Sequence, residues 1–298
     1  MKNVAAVVVT YNRKELLKEC VEALLTQTKK DVLDIFIVDN ASTDGTKEFI
    51  ENYIIDEKIK YINTGSNLGG AGGFQFGIKY AVEHDYEFVW VMDDDCIAQP
   101  TTLAVFLKVD NELSKNYGFL SSKVLWKDNS ICKMNVQRKT MFRNVKNFNK
   151  DLVMVVMASF VSLFIPIKVV KEVGLPIKEF FIWTDDWEYT RRISRKYPCY
   201  LVNNSMVIHK SKSNIGANIA TDVAERLNRY FYLYRNDVYL YKREGIQGLL
   251  YELARTIVHS GKIVFYNNDK KLKRFKYLLI GTYSGLSFNP QIEYVEEK

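Results

Sequence analysis

Hydrophobic positions open the chain as an unbroken run, residues 4–9, made of Val and Ala. A run without polar alternation is how a strand covered on both faces reads, as in a parallel sheet. Thr10-Tyr11-Asn12-Arg13 ends it, and Leu16, Leu17, Cys20 and Leu24 then recur at helical spacing to about residue 27. The alternation repeats. A strand over 35–38 is followed by a turn over 41–46 and a helix to about residue 53; a short strand over 59–62 precedes a glycine loop and a helix to 83; another strand covers 88–92. This order predicts an open, mostly parallel sheet between layers of helices. Ligands in such sheets bind beyond the carboxyl ends of the strands. Thr10, Tyr11, Asn12, Asp39, Asn67 and Asp93 all stand at those ends, so they should converge on one crevice.

Further along, the pattern predicts a helix over 100–114 and a strand over 117–124. A polar, basic segment over 126–150 reads as a loop or irregular hairpin near the site. The apolar stretch 152–165 reads as one buried strand, and 167–173 as a short helix closed by Gly174. A helix over 187–196, a short strand over 207–210 and a long amphipathic helix over 222–243 follow. Helical patterns over 246–266 and from 270 to about 283 end the chain. The expected division is an α/β body, residues 1–215, and a helical region, residues 216–298.

Two stretches carry candidate chemistry. In the first, Gly69, Gly70, Ala71, Gly72 and Gly73 have little or no side chain, which lets a bulky or charged ligand approach the backbone. Asp93-Asp94-Asp95 follows at a strand end, where three carboxylates are costly to place together unless something cationic neutralises them. Side chains alternate along an extended backbone, so Asp93 and Asp95 point one way and Asp94 the other. Two carboxylates on one face suit a hard divalent cation, and such a cation suits a diphosphate. A nucleotide-diphosphate site with Mg2+ or Mn2+ is the first reading; an acidic turn capping the helix after Pro100 is the other.

The second stretch is Asp185-Asp186-Trp187-Glu188, after the aromatic run Phe180-Phe181-Ile182-Trp183. Acids at a helix start serve as caps. The aromatic surroundings argue for more: Trp183 and Trp187 as a sugar-stacking wall, beside a partly desolvated carboxylate that makes a better base. His209 ends a strand and is either structural or a ligand.

Composition narrows the partners. The formal net charge is +7, with basic residues thickest over 270–276, which favours nucleotides, nucleic acid or acidic lipid. A nucleic-acid-binding protein is the non-enzyme alternative, but the basic residues are spread out and the acidic triplet repels phosphate. Nucleic acid is therefore not an expected partner. The first strand is not followed by Gly-x-Gly-x-x-Gly, against a dinucleotide oxidoreductase. Four scattered cysteines form no Cys-x-x-Cys pair, which argues against a zinc or disulfide framework and for a reducing cytoplasm. The N-terminal run is too short for a signal peptide, and 152–167 is too short to span a membrane. Apolar and basic residues alternate over 271–279, which predicts an amphipathic helix on an anionic membrane or a solvated basic face.

In this order the pieces resemble the inverting family 2 glycosyltransferases of the GT-A fold. Val-Val-Val-Thr10-Tyr11-Asn12-Arg13, Val-Asp39-Asn40-Ala-Ser-Thr-Asp44-Gly and Met92-Asp93-Asp94-Asp95 carry the likeness over roughly the first third. Asn67-Leu-Gly-Gly-Ala-Gly-Gly-Phe looks like the branch of galactofuranosyl- and rhamnosyltransferases, and Asp185-Asp186-x-Glu188 with His209 extends the match to about residue 210. Tyr234-Arg235-Asn236 also resembles that branch, with no chemistry attached.

The resemblance implies a GT-A nucleotide-diphospho-sugar transferase fold with a C-terminal helical region. Thr10, Tyr11 and Asp39, with Asn12, would hold the nucleoside; Asn67, Gly70, Gly72 and Gly73 would flank the diphosphate or donor sugar. Asp93, Asp95 and His209 would bind Mn2+ or Mg2+, with Asp94 on ribose or sugar hydroxyls. Asp186 would be the general base, with Trp183, Asp185 and Glu188 on the acceptor side. The branch places Trp directly before the Asp pair, whereas here Thr184 intervenes. The implied donor is UDP-galactofuranose, alternatively dTDP-rhamnose. The implied acceptor is a glycan or lipid-linked glycan in cell-surface polysaccharide synthesis, at the cytoplasmic side of a membrane.

Overall fold

The computed structural model describes residues 3–266 and 269–295. Strands β1 (Val4–Thr10), β2 (Leu33–Asp39), β3 (Lys60–Asn63) and β4 (Phe88–Asp93) lie parallel in the order β3-β2-β1-β4. Their register sets Thr10 opposite Asp39, Asp39 opposite Asn63 and Val9 opposite Asp93, so the polar ends form one rim. Parallel strands need crossover connections. These are α1 (Lys14–Leu25), the short α2 (Thr46–Phe49) and α3 (Glu51–Ile55), and α4 (Gly69–Glu83).

The chain then passes β5 (Cys96–Ala98), α5 (Thr102–Glu112), β6 (Leu120–Trp126) and a small hairpin of β7 (Arg138–Thr140) and β8 (Arg143–Asn144). Next come β9 (Leu152–Met154), β10 (Leu163–Pro166), α6 (Ile167–Val173), α7 (Asp185–Ser194) and β11 (Tyr200–His209). The sheet continues β4-β10-β6-β11-β5, with β9 also paired to β11. Strand β10 runs antiparallel between β4 and β6, while β11 is parallel to β6. Antiparallel pairing of β11 with β5 sets His209 opposite Cys96, next to Asp95.

Both faces of the sheet are covered. Leu17, Cys20, Leu24 and Phe106 pack on one side with Trp90 and Phe164; Phe74, Ile78, Val170 and Ile193 pack on the other with Val7 and Val91. Burying each such side chain contributes roughly 1.5–3 kcal/mol before entropy. Gly77 lets α4 lie close on β1, because a Cβ there would meet Val7 Cγ1 at 2.3 Å.

The C-terminal helices are α8 (Arg229–Lys242), α9 (Gly245–Phe265) and α10 (Lys271–Ser287). Tyr230 and Tyr234 of α8 are buried with Leu227, Ile263 and Leu278, so the tyrosine face packs between helices. Among the described residues, no helix is long and apolar enough to cross a membrane.

Four expectations need correction. The glycine stretch is not a loop: it is the first turn of α4, with Gly69 at φ +71°. The apolar stretch 152–165 is two strands, because β9 pairs β11 while β10 sits between β4 and β6, positions one straight strand cannot serve. Helix α7 starts two residues early, at Asp185, so both aspartates lie in its first turn. The helix expected from 222 starts at Arg229, after a 3-10 turn over Ala224–Arg226.

Candidate active site

At the rim, the chain turns sharply after β4, and the acidic triplet divides. Asp93, Asp95 and His209 bring one ligand atom each to within 4.8 Å of one another. Asp94 points away, buried, accepting from Thr10 Oγ1 at 2.8 Å and from Arg13 Nη1 at 3.1 Å. The same Arg13 nitrogen donates to Asp95 Oδ2 at 2.9 Å. Asp93 and Asp95 do converge, but through the turn at Asp94-Asp95 rather than strand alternation, and Asp94 places one oxygen on Thr10 and the other on Arg13. Thr10, expected on the nucleoside, is buried and holds Asp94 instead.

The donor set fits a divalent cation. His209 Nδ1 lies 2.7 Å from Asn135 Oδ1, while Asn135 Nδ2 donates to Ser159 Oγ at 3.0 Å. The amide oxygen therefore accepts from Nδ1–H, which leaves Nε2 with its lone pair facing Asp95 Oδ1 at 3.1 Å. Two lone pairs at that distance call for a proton or a metal between them. Burial works against charge on His209, yet Asp95 and Asp93 raise its pKa to about 10. Burial, then repulsion from Asp95, raises Asp93 above the usual carboxylate range, and burial takes Asp94 to about 6 despite Arg13. Burial also opposes charge on Asp95, but His209 and Arg13 hold it below its ordinary value. Two carboxylates and an imidazole offer the oxygen and nitrogen ligands that Mn2+ or Mg2+ takes, and such a cation would replace the proton on His209.

Around this cluster, Asp39 is buried, accepting from Ser42 N–H at 2.8 Å and from the Tyr61 hydroxyl. Asn12 sits at φ +54°; its Oδ1 accepts from Thr43 N–H at 2.7 Å, stapling the β1 end to the turn after β2. Tyr11 is exposed at the rim. Asn67 Oδ1 accepts from Gly69 N–H at 2.9 Å at the start of α4. The glycines differ: a Cβ on Gly73 would meet Val9 Cγ1 at 2.6 Å and one on Gly72 would meet Leu68 Cβ at 2.6 Å, but nothing lies within 4 Å of one on Gly70. Gly72 and Gly73 thus serve packing; Gly70 faces open space.

The second acidic stretch opens α7. Asp185 is buried and Asp186 half-buried; Asp186 Oδ1 accepts from Trp187 N–H at 2.7 Å. Burial raises both carboxyls, and the Asp185 charge raises Asp186 further. The Asp93 charge adds a smaller push in the same direction on Asp186. The Glu188 charge also raises Asp185, but its oxygens are turned to Arg192. Both its oxygens accept from Arg192, at 3.0 and 2.9 Å, and Arg192 in turn holds the carbonyls of Val173 and Leu175. Trp183 is no open wall: its ring packs edge-on against Tyr230 at 5.1 Å. The Trp187 face is covered by the Arg138 guanidinium at 4.2 Å.

Residues 5–121 match the sequence model of Glycosyl transferase family 2. The chain carries a family 2 glycosyltransferase domain. It is 26% identical over 269 residues to the galactofuranosyltransferase GlfT1 of Mycolicibacterium smegmatis, covering 83% of this chain and 85% of that protein. It is 25% identical over 299 residues to the dTDP-rhamnosyl transferase RfbF of Shigella flexneri, covering 95% of each. The crystal structure of S. aureus TarS 1–349 in complex with UDP-GlcNAc superimposes with a TM-score of 0.55 at 16% identity, over 97% of this chain and 73% of that one. The transferase therefore has the GT-A fold, with the acidic triplet inside the matched domain and Asp186 and His209 beyond it.

Three site residues escaped sequence reasoning. Arg13 lies in the Thr10-Tyr11-Asn12-Arg13 run, and its position beside a polar strand end was a usable signal. Asn135 and Tyr61 gave none, since their partners are 74 and 22 residues away.

Proposed function

We propose that this glycosyltransferase moves galactofuranose from UDP-galactofuranose to a hydroxyl of a glycan or lipid-linked acceptor, with inversion, using a divalent cation. The observation that carries the reading is the Asp93–Asp95–His209 cluster at the ends of β4 and β11, on the rim where Thr10 and Asp39 also end their strands. The similarity to a galactofuranosyltransferase over most of both chains supports the sugar.

Asp93, Asp95 and His209 would hold the cation, which when bound neutralises charge developing on the leaving diphosphate. Asn135 fixes the imidazole tautomer, and Asp94 keeps Arg13 over the cluster. Tyr11 and Asp39 lie where the nucleoside would dock, and Gly70 offers an open approach to the α4 backbone. Asp186 would take the proton of the acceptor hydroxyl as that oxygen attacks the anomeric carbon on the face opposite the leaving group. Burial keeps this carboxyl a stronger base than a solvated one. Asp185 would orient acceptor hydroxyls.

The second reading is a rhamnosyltransferase using dTDP-rhamnose, favoured by the end-to-end similarity to RfbF. Turnover of a panel of nucleotide sugars with Mn2+ tests both. UDP-galactofuranose as the preferred donor supports the first; dTDP-rhamnose as the preferred donor replaces it.

For location, we infer a peripheral contact with the inner face of the cell membrane. Leu250, Leu253, Ile257, Phe265 and Leu272 are exposed on α9 and α10, and Lys270, Lys271, Lys273 and Lys276 are exposed at the start of α10. Apolar side chains flanked by lysines suit an anionic lipid surface. Co-sedimentation with anionic vesicles that falls with salt supports this; indifference to lipid charge overturns it. The same helices motivate the proposed division at residue 215, with 216–298 as the membrane-facing region.

A further inference from the structure

The loop before the Asp pair is held in a conformation that its own residues disfavour. Phe181, Trp183 and Thr184 have φ of +63°, +65° and +67°. None is glycine, and left-handed backbone at bulky or β-branched residues persists only where surrounding contacts enforce it. The enforcing contacts come from α8, more than fifty residues later. The buried Asn236 amide nitrogen donates to the carbonyls of Phe180 at 2.9 Å, Ile182 at 3.2 Å and Trp183 at 2.9 Å. Arg235 donates through Nε to Asn236 Oδ1 at 3.1 Å, which orients the amide, and through Nη2 to the Glu179 carbonyl.

Next to it, Thr184 Oγ1 donates to Asp237 Oδ1 at 2.7 Å, and Asp237 Oδ2 pairs with Arg255 of α9 at 2.6 Å. On the other side, Ala71 N–H of α4 donates to the Phe181 carbonyl at 3.2 Å, and a side chain on Gly69 would strike that carbonyl. The loop is thus clamped between the start of α4 and the side chains of α8. It runs directly into Asp185 and Asp186.

We propose that Asn236 and Asp237 are positioning residues: by fixing the backbone of residues 180–184, they aim the first turn of α7 and its carboxylates into the crevice. The inference rests on the proposed role of Asp186 as base. It gives the Tyr234-Arg235-Asn236 run a task, and it makes the C-terminal helices part of the catalytic apparatus rather than an appendage. Thr184, the residue that departs from the family pattern, is one of the points where the clamp grips.

The test uses the full chain with Mn2+, UDP-galactofuranose and an alkyl galactofuranoside as acceptor probe. Asn236→Leu keeps the approximate shape but removes the donors, and Thr184→Val keeps the shape but removes the hydroxyl. Each should lower kcat by on the order of 10–100-fold, as expected when a catalytic group is misplaced by a fraction of an ångström or more. UDP affinity and circular dichroism should stay as in the wild type, and Thr184→Ser should recover most of the lost rate. A kcat within twofold of wild type in both shape-preserving variants overturns the proposal. So does a loss of rate that only tracks loss of UDP binding and folded signal, which would make the contacts structural. If Asp186→Asn itself keeps full turnover, the base assignment falls first, and that result is distinct from either outcome.

Discussion

Asn135 Oδ1 sits 2.7 Å from His209 Nδ1, and this contact decides which imidazole nitrogen faces Asp95. Outer partners of this kind set ligand orientation and basicity. Asn135→Ala should weaken Mn2+ affinity by about 10–100-fold while leaving the fold intact. Mn2+ titration followed by electron paramagnetic resonance reads this directly; unchanged affinity would show that the histidine is oriented without Asn135.

Arg13 bridges Asp94 and Asp95, although its side chain is half exposed. Solvent screening keeps such a contact to about 1 kcal/mol. Arg13→Ala should lower Tm by about 2–4 °C in chelator. In saturating Mn2+ the loss should shrink, because the cation supplies the missing charge. Equal losses in both conditions would place Arg13 outside the electrostatic balance of the site.

The glycines separate packing from binding. Gly77→Ala forces a Cβ into Val7 and should cost about 1–3 kcal/mol in a denaturant melt. Gly70→Ala meets open space and should leave stability within about 0.5 kcal/mol. If Gly70 flanks the donor, that variant should still weaken UDP-sugar binding. Normal binding would remove Gly70 from the site.

Glu252 is buried beside Arg255 and Asp237, and burial, opposed by Arg255, raises it from 4.5 to about 8. Its folded form holds a proton that the unfolded chain releases. Its contribution is therefore fully present below about pH 4.5 and is lost as pH rises to about 8. Glu252→Gln should flatten that fall, and at pH 8 it should be at least as stable as wild type. A steeper loss of Tm between pH 5 and pH 8 in the variant would contradict the assignment.

The sequence carried the parallel half of the fold well, because residues 4–9, 35–38 and 88–92 are apolar runs with polar ends. It also put Asp93 with Asp95, although a turn at Asp94-Asp95 and not the extended backbone assumed there brings them together. It read 152–165 as one strand because hydrophobicity reports burial and not partner, and here one apolar stretch serves two distant places in the sheet. The family resemblance assigned Asp94 and Glu188 to the substrate side, and the aromatic run suggested Trp183. Their partners Thr10, Arg192 and Tyr230 engage them inside the protein, and such long-range pairings leave no local pattern. The work of Asn236 was invisible for the same reason.

The most direct measurement is turnover and donor affinity of Asp186→Asn beside Asp185→Asn. The amide keeps the size of the side chain and cannot take a proton. Asp186→Asn should lose about 10²–10⁴ in kcat with UDP-sugar affinity largely spared, whereas Asp185→Asn should chiefly raise the acceptor KM. Near-normal turnover of Asp186→Asn with an inactive Asp185→Asn would exchange their roles, and near-normal turnover of both would contradict the account, leaving the acidic pair a helix cap.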